Sequence, residues 1–427
     1  MVNRQNLPGG IAWNTGTKLS PLAVPVQNCG TENNPRCPPT SYYLLNLIYK
    51  IERKRRENVH GNNGPEPAMN QTAATTVLID LPDPITGPSA WRGEDLQDHP
   101  QTWTDPLEAT FITALSDLAD RYLARNRPLS DMARDDMDHP ALRTRVSAWQ
   151  ATLMHGRGFV LARGLPVDDW GITKTATAWY GLGLLMGTPR SQNAQGHLLG
   201  HVRDLGLSTD DPKVRIYQTT ERQTFHTDSC DVVGLVCLKT AREGGESAIV
   251  SSMQIYNEMH RQDPELLRAL FNTFPTDRRG EIPPGKRAWF DIPVFNHHAG
   301  HLSVIYARRY ITSAARLEGP RRLSDLELAA LDRFDALAND PAMHLKMEFM
   351  PGDMQFVHNH TILHDRLAYQ DWPEPERKRH LLRLWLAIPG ARPLPDVYAE
   401  RYGSTAIGDR GGILVDGTRL TVPLEAV

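Results

Sequence analysis

The stretch QTFHTDSCDVVGLVC, residues 223–237, places His226 and Asp228 two positions apart ahead of a long apolar run. In extended backbone, residues i and i+2 point to the same side, so an imidazole and a carboxylate here would project into one space as two metal ligands. A chain with 16 histidines contains about one His-x-Asp by chance, so the pair needs support from elsewhere. A third donor is available in GDMQFVHNHTILHDR, which holds His358, His360 and His364. Gly352-Asp353 is a turn signal before a strand, which puts His358 at the strand's end and His364 just beyond it. A rival arrangement makes His360 and His364 an i, i+4 helical zinc pair, with Thr361 standing where H-E-x-x-H sites carry their glutamate.

Arg379 and Arg383 in RHLLRLWL have equal parity and share a strand face with Leu381, whereas His380, Leu382 and Leu384 face the other way. Guanidinium groups aimed into a sandwich interior are costly unless anions meet them. Arginine grips carboxylates through paired hydrogen bonds, so either acidic ligands or internal salt bridges are implied.

The rest of the chain must position these groups. Its 427 residues and 40% hydrophobic content suffice for a sizeable core. A net charge of −3 provides no general attraction to nucleic acid or acidic membranes. Cys29, Cys37, Cys230 and Cys237 lack the paired short spacings of a structural zinc site. Cys230 and Cys237 lie an odd number apart within an expected strand, so they are expected to face opposite sides and stay unbridged, as in a reducing compartment. With no long apolar run and no signal-peptide core, a cytoplasmic protein is expected.

Residues 1–68 are rich in Pro, Asn and Gly and are expected to be a disordered extension or a mis-assigned start, since Met69 stands just before TTVLIDLPDPITGPSAW. The helix-like SYYLLNLIYKIERKRREN within them ends in a basic cluster, read as a solvated helix end or a contact for a membrane or nucleic acid. Residues 69–427 are expected to form one domain. LEATFITALSDLADRYLA, PALRTRVSAWQATLMHG, TKTATAWYGLGLLMG, SMQIYNEMHRQDPELLRALF and SDLELAALDRFDALAND read as helices, the last capped by Ser324. GFVLARGLP, KVRIYQT, DVVGLVCLKTA, SAIVSS, HLSVIYARRYI and KRHLLRLWLAIPG read as strands, as do pieces of HLKMEFMPGDMQFVHNHTILHDRLAY. The pattern predicts a mainly β sandwich or barrel buttressed by helices, and the missing βαβ rhythm and Gly-x-Gly-x-x-Gly turn exclude a doubly wound fold.

Taken in order, His226-x-Asp228, GGES, PGD, NHTILHDR and RHLLRLWL resemble the TauD/TfdA family of iron(II) and 2-oxoglutarate-dependent dioxygenases, over roughly residues 150–390. The resemblance implies a double-stranded β-helix, or jelly roll, with a helical insertion over the site. It implies that His226, Asp228 and His364 form a two-His-one-carboxylate triad for Fe(II), leaving positions for co-substrate and O2. Arg379 matches the arginine that grips the distal carboxylate of 2-oxoglutarate, and Ser247 the hydroxyl that supports it. Arg383 matches a position that meets the substrate's sulfonate in the taurine enzyme; here it is expected to hold an anionic substrate group or to pad the co-substrate pocket. Asn359 fits the family's Asn and is expected to order the ligand loop. His358 and His360 depart from the family's usual Asp-Asn-Arg run and have no assigned role.

The activity so implied is hydroxylation or desaturation of a C–H in a small metabolite, with release of succinate and CO2. Asp228 disfavours halogenation, because related halogenases replace that carboxylate with a small residue. Asn193, Gln195, His197 and Tyr217 are candidate substrate residues; Trp179 and Tyr180 could offer an aromatic wall to a quaternary ammonium, but helix-core packing explains them better. Other functions remain open: a zinc hydrolase on the same ligands, or a metal-free jelly-roll binding module. The expected partner is a small molecule, with no nucleic acid or membrane, and a homo-oligomer is compatible with all of this.

Overall fold

A computed structural model describes residues 80–208 and 214–425. The expectations for residues 1–68, including the basic helix and Cys29 and Cys37, lie outside these described residues. The two long apolar runs behave as their composition requires: Val232–Lys239 and His380–Ala387 are paired antiparallel strands at the heart of a seven-stranded sheet. Its order is Thr104–Pro106, Phe159–Arg163, Met354–His358, Val232–Lys239, His380–Ala387, Thr188–Pro189, with Gly200–Val202 also pairing with His380–Ala387. A four-stranded sheet runs His344–Met347, Ser247–Ser251, Ile362–Arg366, Gln223–His226.

These strands read as nearly unbroken apolar runs because both faces of each sheet are covered. Between the sheets, Phe159, Val233, Val357 and Trp385 of the larger meet Ile249, Leu345, Met347 and Ile362 of the smaller. On the larger sheet's far side, Val232, Val236, Phe356, Leu382 and Leu384 pack beneath helices Ala109–Leu123, Pro140–His155 and Val167–Met186. On the smaller sheet's far side, Val250 and Leu363 pack with Tyr256 and Phe334 from helices Ser252–Gln262 and Asp325–Ala338. Ser324 caps the latter, its hydroxyl accepting from the Glu327 N–H. All described residues belong to one unit, Val77–Val427.

Several expectations need correction. The fold is mixed rather than mainly β, since helices hold more of the described residues than strands do. The insertion between Ser251 and His344 is not purely helical: it carries two hairpins, Thr273–Asp277 with Trp289–Pro293 and Phe295–His298 with His301–Val304. Of KVRIYQT, the described residues 214–219 hold a single 3-10 turn, Ile216–Gln218, rather than a strand. Its carbonyls find a donor other than a neighbouring strand: Arg366 donates to Ile216 O and Thr219 O. In HLSVIYARRYI the strand stops at Val304 and a helix runs Arg308–Ser313. Cys230 and Cys237 are unbridged, but parity is not the reason. Cys230 precedes the strand, and both side chains join the same inter-sheet core.

Candidate active site

Strand Gln223–His226 lies beside Ile362–Arg366 with His364 as the direct pairing partner of His226. That register brings together two imidazoles 138 positions apart in the chain, with ring centroids 4.2 Å apart. Past His226 the strand ends, and the chain turns to deliver Asp228 between them. Its Oδ1 lies 3.8 Å from His226 Nε2 and its Oδ2 3.7 Å from His364 Nε2. One donor atom from each residue falls within 4.8 Å of the other two. His360, by contrast, lies in the turn between Met354–His358 and Ile362–Arg366, so the helical zinc pair does not exist.

The protonation states suit a cation. His226 Nδ1 donates to Thr224 O at 2.9 Å, which leaves a lone pair on Nε2. The Gln223 carboxamide donates to that lone pair at 2.8 Å. Burial, helped by the neighbouring His226, holds His364 neutral, its pKa depressed to about 3, and its Nδ1 is buried without a hydrogen bond. Burial alone would raise the Asp228 carboxyl, but the Arg383 guanidinium and the Trp385 N–H act against it, and the carboxyl is held below its usual range. A buried carboxylate and two imidazoles form a donor set that fits a divalent transition metal.

Supporting contacts fix the carboxylate. Trp385 Nε1 donates to Asp228 Oδ2 at 2.7 Å, and the Asp228 N–H donates to Asn359 Oδ1 at 3.1 Å. Asn359 Nδ2 in turn donates to Cys230 O at 3.2 Å, so Asn359 does order the ligand loop. Beneath it, buried Asp231 accepts from His360 Nε2 at 3.0 Å, from Arg410 Nε at 2.8 Å and from the Ile388 N–H at 3.1 Å. His360 is therefore a structural partner, and the His358 ring bonds Thr361 Oγ1 of its own turn at 3.2 Å while its Nε2 has no partner.

Next to the histidines is a small enclosed cavity lined by Gln223, His226, Ser247, His364, Arg366, Arg379, Leu381 and Arg383. The expected parity of Arg379, Leu381 and Arg383 holds, and His380 faces away to bond His201. The two deep arginines of this cavity differ. Arg366 is committed to three backbone carbonyls, Thr219, Ile216 and Glu221. Arg379 is fully enclosed, yet its Nη1 has no partner and its Nη2 reaches only Gly245 O at 3.4 Å. It lies 5.3 Å from the Tyr369 ring and forms no ion pair with a described residue. Gly245, in the GGES turn, has φ of +79°, and a Cβ there would stand 3.2 Å from Arg379 Nε. Glycine is thus needed both for the backbone and for the guanidinium's room.

A second, larger cavity opens on the other side of His226 and Asp228. Tyr217 and Arg383 line it. Arg383 donates to Gln192 Oε1 at 2.7 Å, lies 3.5 Å from Asp228 Oδ2 and stacks over Tyr217. Asn193 is not among the lining residues; it closes its own loop through His197 and the Gln195 N–H, and its neighbour Gln192 faces the cavity. Trp179 and Tyr180 are buried in the helix-side core, away from both cavities. Sequence reasoning missed Trp385, Arg215, Tyr310 and Arg401. Trp385 shares the parity of Arg379 and Arg383 and was findable; Arg215 sits in an irregular stretch, and Tyr310 and Arg401 in helices of six and four residues, too short to give a periodic signal.

Residues 125–385 match the taurine catabolism dioxygenase TauD, TfdA family. The chain is 32% identical over 330 residues to FR-33289 synthase from Streptomyces rubellomurinus, covering 76% of this chain and 97% of that protein. It is 28% identical over 179 residues to a uridine-5'-phosphate dioxygenase from an Amycolatopsis species, covering 39% of this chain and 62% of that one. Among solved structures, asparagine oxygenase superposes with a TM-score of 0.54 at 15% identity, over 66% of this chain and 92% of that one. The non-heme iron oxygenase OrfP superposes with a TM-score of 0.52 at 13% identity, over 72% of this chain and 99% of that one. With a family match across most of the paired-sheet region and a relative matched over nearly its whole length, the chain belongs to the TauD/TfdA dioxygenase family.

Proposed function

We propose that this 2-oxoglutarate-dependent dioxygenase binds Fe(II) through His226, Asp228 and His364 and hydroxylates or desaturates an unactivated C–H of a small anionic metabolite. The observation that carries the reading is the meeting of three donor atoms within 4.8 Å beside an enclosed guanidinium, Arg379, that lacks an anion. Bound iron(II), with 2-oxoglutarate and O2, supplies the oxidising power, and succinate and CO2 are released. Arg379 would hold the distal carboxylate of 2-oxoglutarate, with Ser247 beside it in the same cavity. Trp385 keeps the Asp228 carboxylate oriented and Asn359 holds its backbone N–H, since outer contacts of this kind set both ligand geometry and basicity. Arg383, between the two cavities, would face both co-substrate and substrate. The face-to-face sheets support a double-stranded β-helix, spanning about residues 150–390 of a single domain that runs from 69 to 427.

The larger cavity is read as the substrate site. Its lining includes five arginines and a single carboxylate, Asp228, and the relative named for uridine-5'-phosphate also takes an anion. The test is anaerobic loading with Fe(II) and 2-oxoglutarate, then admission of O2 with a library of anionic metabolites. Succinate formed in step with an oxidised metabolite supports the reading. Tight zinc binding with no oxygen-dependent succinate would overturn it in favour of hydrolysis.

A further inference from the structure

Beside the larger cavity lies a further space of different character. Thr227, Ser229, Ala307, Tyr310 and Arg401 line both, so only these residues stand between the two. Ser229 and Ala307 are small, and Tyr310 and Arg401 are long side chains able to rotate, so the partition is one side chain deep. Beyond it the walls are apolar: Phe290, Ile292, Val294 and Ile311, each at most 5% exposed, border a recess of about 40 Å³. The polar side chains found only in the recess are already engaged. Thr276 Oγ1 donates to Phe274 O at 3.2 Å, and Tyr306 OH donates to Asp335 Oδ1 at 2.5 Å.

The recess lies where two apolar clusters meet. Phe290 and Ile292 pack with Leu394, Tyr398 and Tyr402, whereas Val294 and Ile311 pack with Tyr306 and Phe334. Protein interiors are close-packed, and an unfilled volume forfeits the contacts its lining would make. A water there finds few of the polar partners it needs, so the occupant that relieves the void is apolar. A water-sized group takes roughly 10–15 Å³ of such space, so about three carbon-sized groups fit. Thr227 and Ser229 flank Asp228 in the chain, which puts the recess about one residue, ~3.8 Å of chain, from the metal-binding carboxylate. A carbon held at the triad is then a few bonds away from it.

We propose that the recess receives a short aliphatic branch of the substrate, of about three carbons, and that Ile292 and Val294 set its size. The proposal rests on the reading of the larger cavity as the substrate site and narrows the substrate to a small metabolite carrying such a branch. The test uses the full chain in two arms. In the first, the chain loaded with Fe(II) and 2-oxoglutarate without oxygen is titrated calorimetrically with acetate, propionate, butyrate, valerate and hexanoate. Affinity is expected to rise about fourfold per added methylene, the gain from burying one such group, and to level off once the recess is full. Ile292→Phe, which fills the recess, is expected to abolish the rise. If that variant does not fold, Val294→Ile carries the test and is expected to end the rise one carbon earlier. In the second arm, binding of xenon to the unloaded chain is followed by NMR; xenon enters dry apolar cavities, and its binding is expected to be lost in Ile292→Phe and weakened in Val294→Ile. A series that is flat in the wild type, a rise that survives the folded variant unaltered, or xenon binding indifferent to it overturns the proposal. Xenon binding that the variant abolishes, in a chain that forms no succinate from 2-oxoglutarate under oxygen, would sink the oxygenase reading and leave the apolar recess standing.

Discussion

Replacing Arg379 by methionine separates a ligand-binding arginine from a structural one, because the two roles have opposite signs in stability. In the protein alone, Arg379 gains little: one long contact to Gly245 O at 3.4 Å and a ring at 5.3 Å. Against this stands the desolvation of a charge that is 5% exposed, a cost of several kcal/mol without a paired anion. Exchanging it for an apolar side chain of similar length is therefore expected to leave stability unchanged or raise it by about 1–3 kcal/mol. Binding of 2-oxoglutarate should suffer instead. Losing two charge-assisted hydrogen bonds of roughly 1.5–3 kcal/mol each weakens it by about 3–6 kcal/mol, or roughly 10²- to 10⁴-fold. Arg366→Met, in the same cavity, should behave differently. Three backbone carbonyls lose their donor, and stability is expected to fall by about 3–6 kcal/mol. Urea melts of the unloaded protein and 2-oxoglutarate titrations with Fe(II) under nitrogen read both quantities. An Arg379→Met protein that is strongly destabilised yet binds 2-oxoglutarate normally would refute the assignment.

Other consequences are as specific. Trp385→Phe removes the donor to Asp228 Oδ2 while keeping a ring, and is expected to weaken metal binding about 10- to 100-fold in a Co(II) or Mn(II) titration; unaltered affinity would show that the indole only packs. Gly245→Ala forces a side chain onto a +79° backbone and toward Arg379, so the 2-oxoglutarate KM should rise with a stability loss of about 1–2 kcal/mol, both read on one purified variant. Arg410→Met leaves Asp231 buried with one cation fewer and is expected to cost about 3–5 kcal/mol in denaturant melts. Burial opposes ionisation of Asp231, but His360 and Arg410 outweigh it and hold its carboxyl below the usual range. Its contribution is thus complete above the unfolded carboxylate value near 4 and lost as pH falls through the lower folded value. The stability gap between wild type and Arg410→Met should accordingly narrow in acid, and a gap that widens would contradict it.

Local rules carried much of this in the linear chain. Parity alone set Arg379, Leu381 and Arg383 on one face and His380 on the other, and the same rule, pressed further, reaches Trp385. Apolar period and a capping serine marked the long helices, because those signals depend on neighbours three or four residues away. The pairing of His226 with Asp228 is equally local. What tertiary structure decided is everything that joins distant segments. His364 meets His226 only because strand Ile362–Arg366 pairs beside Gln223–His226 in one register, and a one-residue slip would turn that imidazole to the opposite face. KVRIYQT has the composition of a strand, yet Arg366 takes its carbonyls and bends it into a turn. Arg401 and Arg410 reach the site region from a C-terminal segment with no periodicity, where side-chain contacts across more than 170 residues, not backbone pattern, determine what each charge meets.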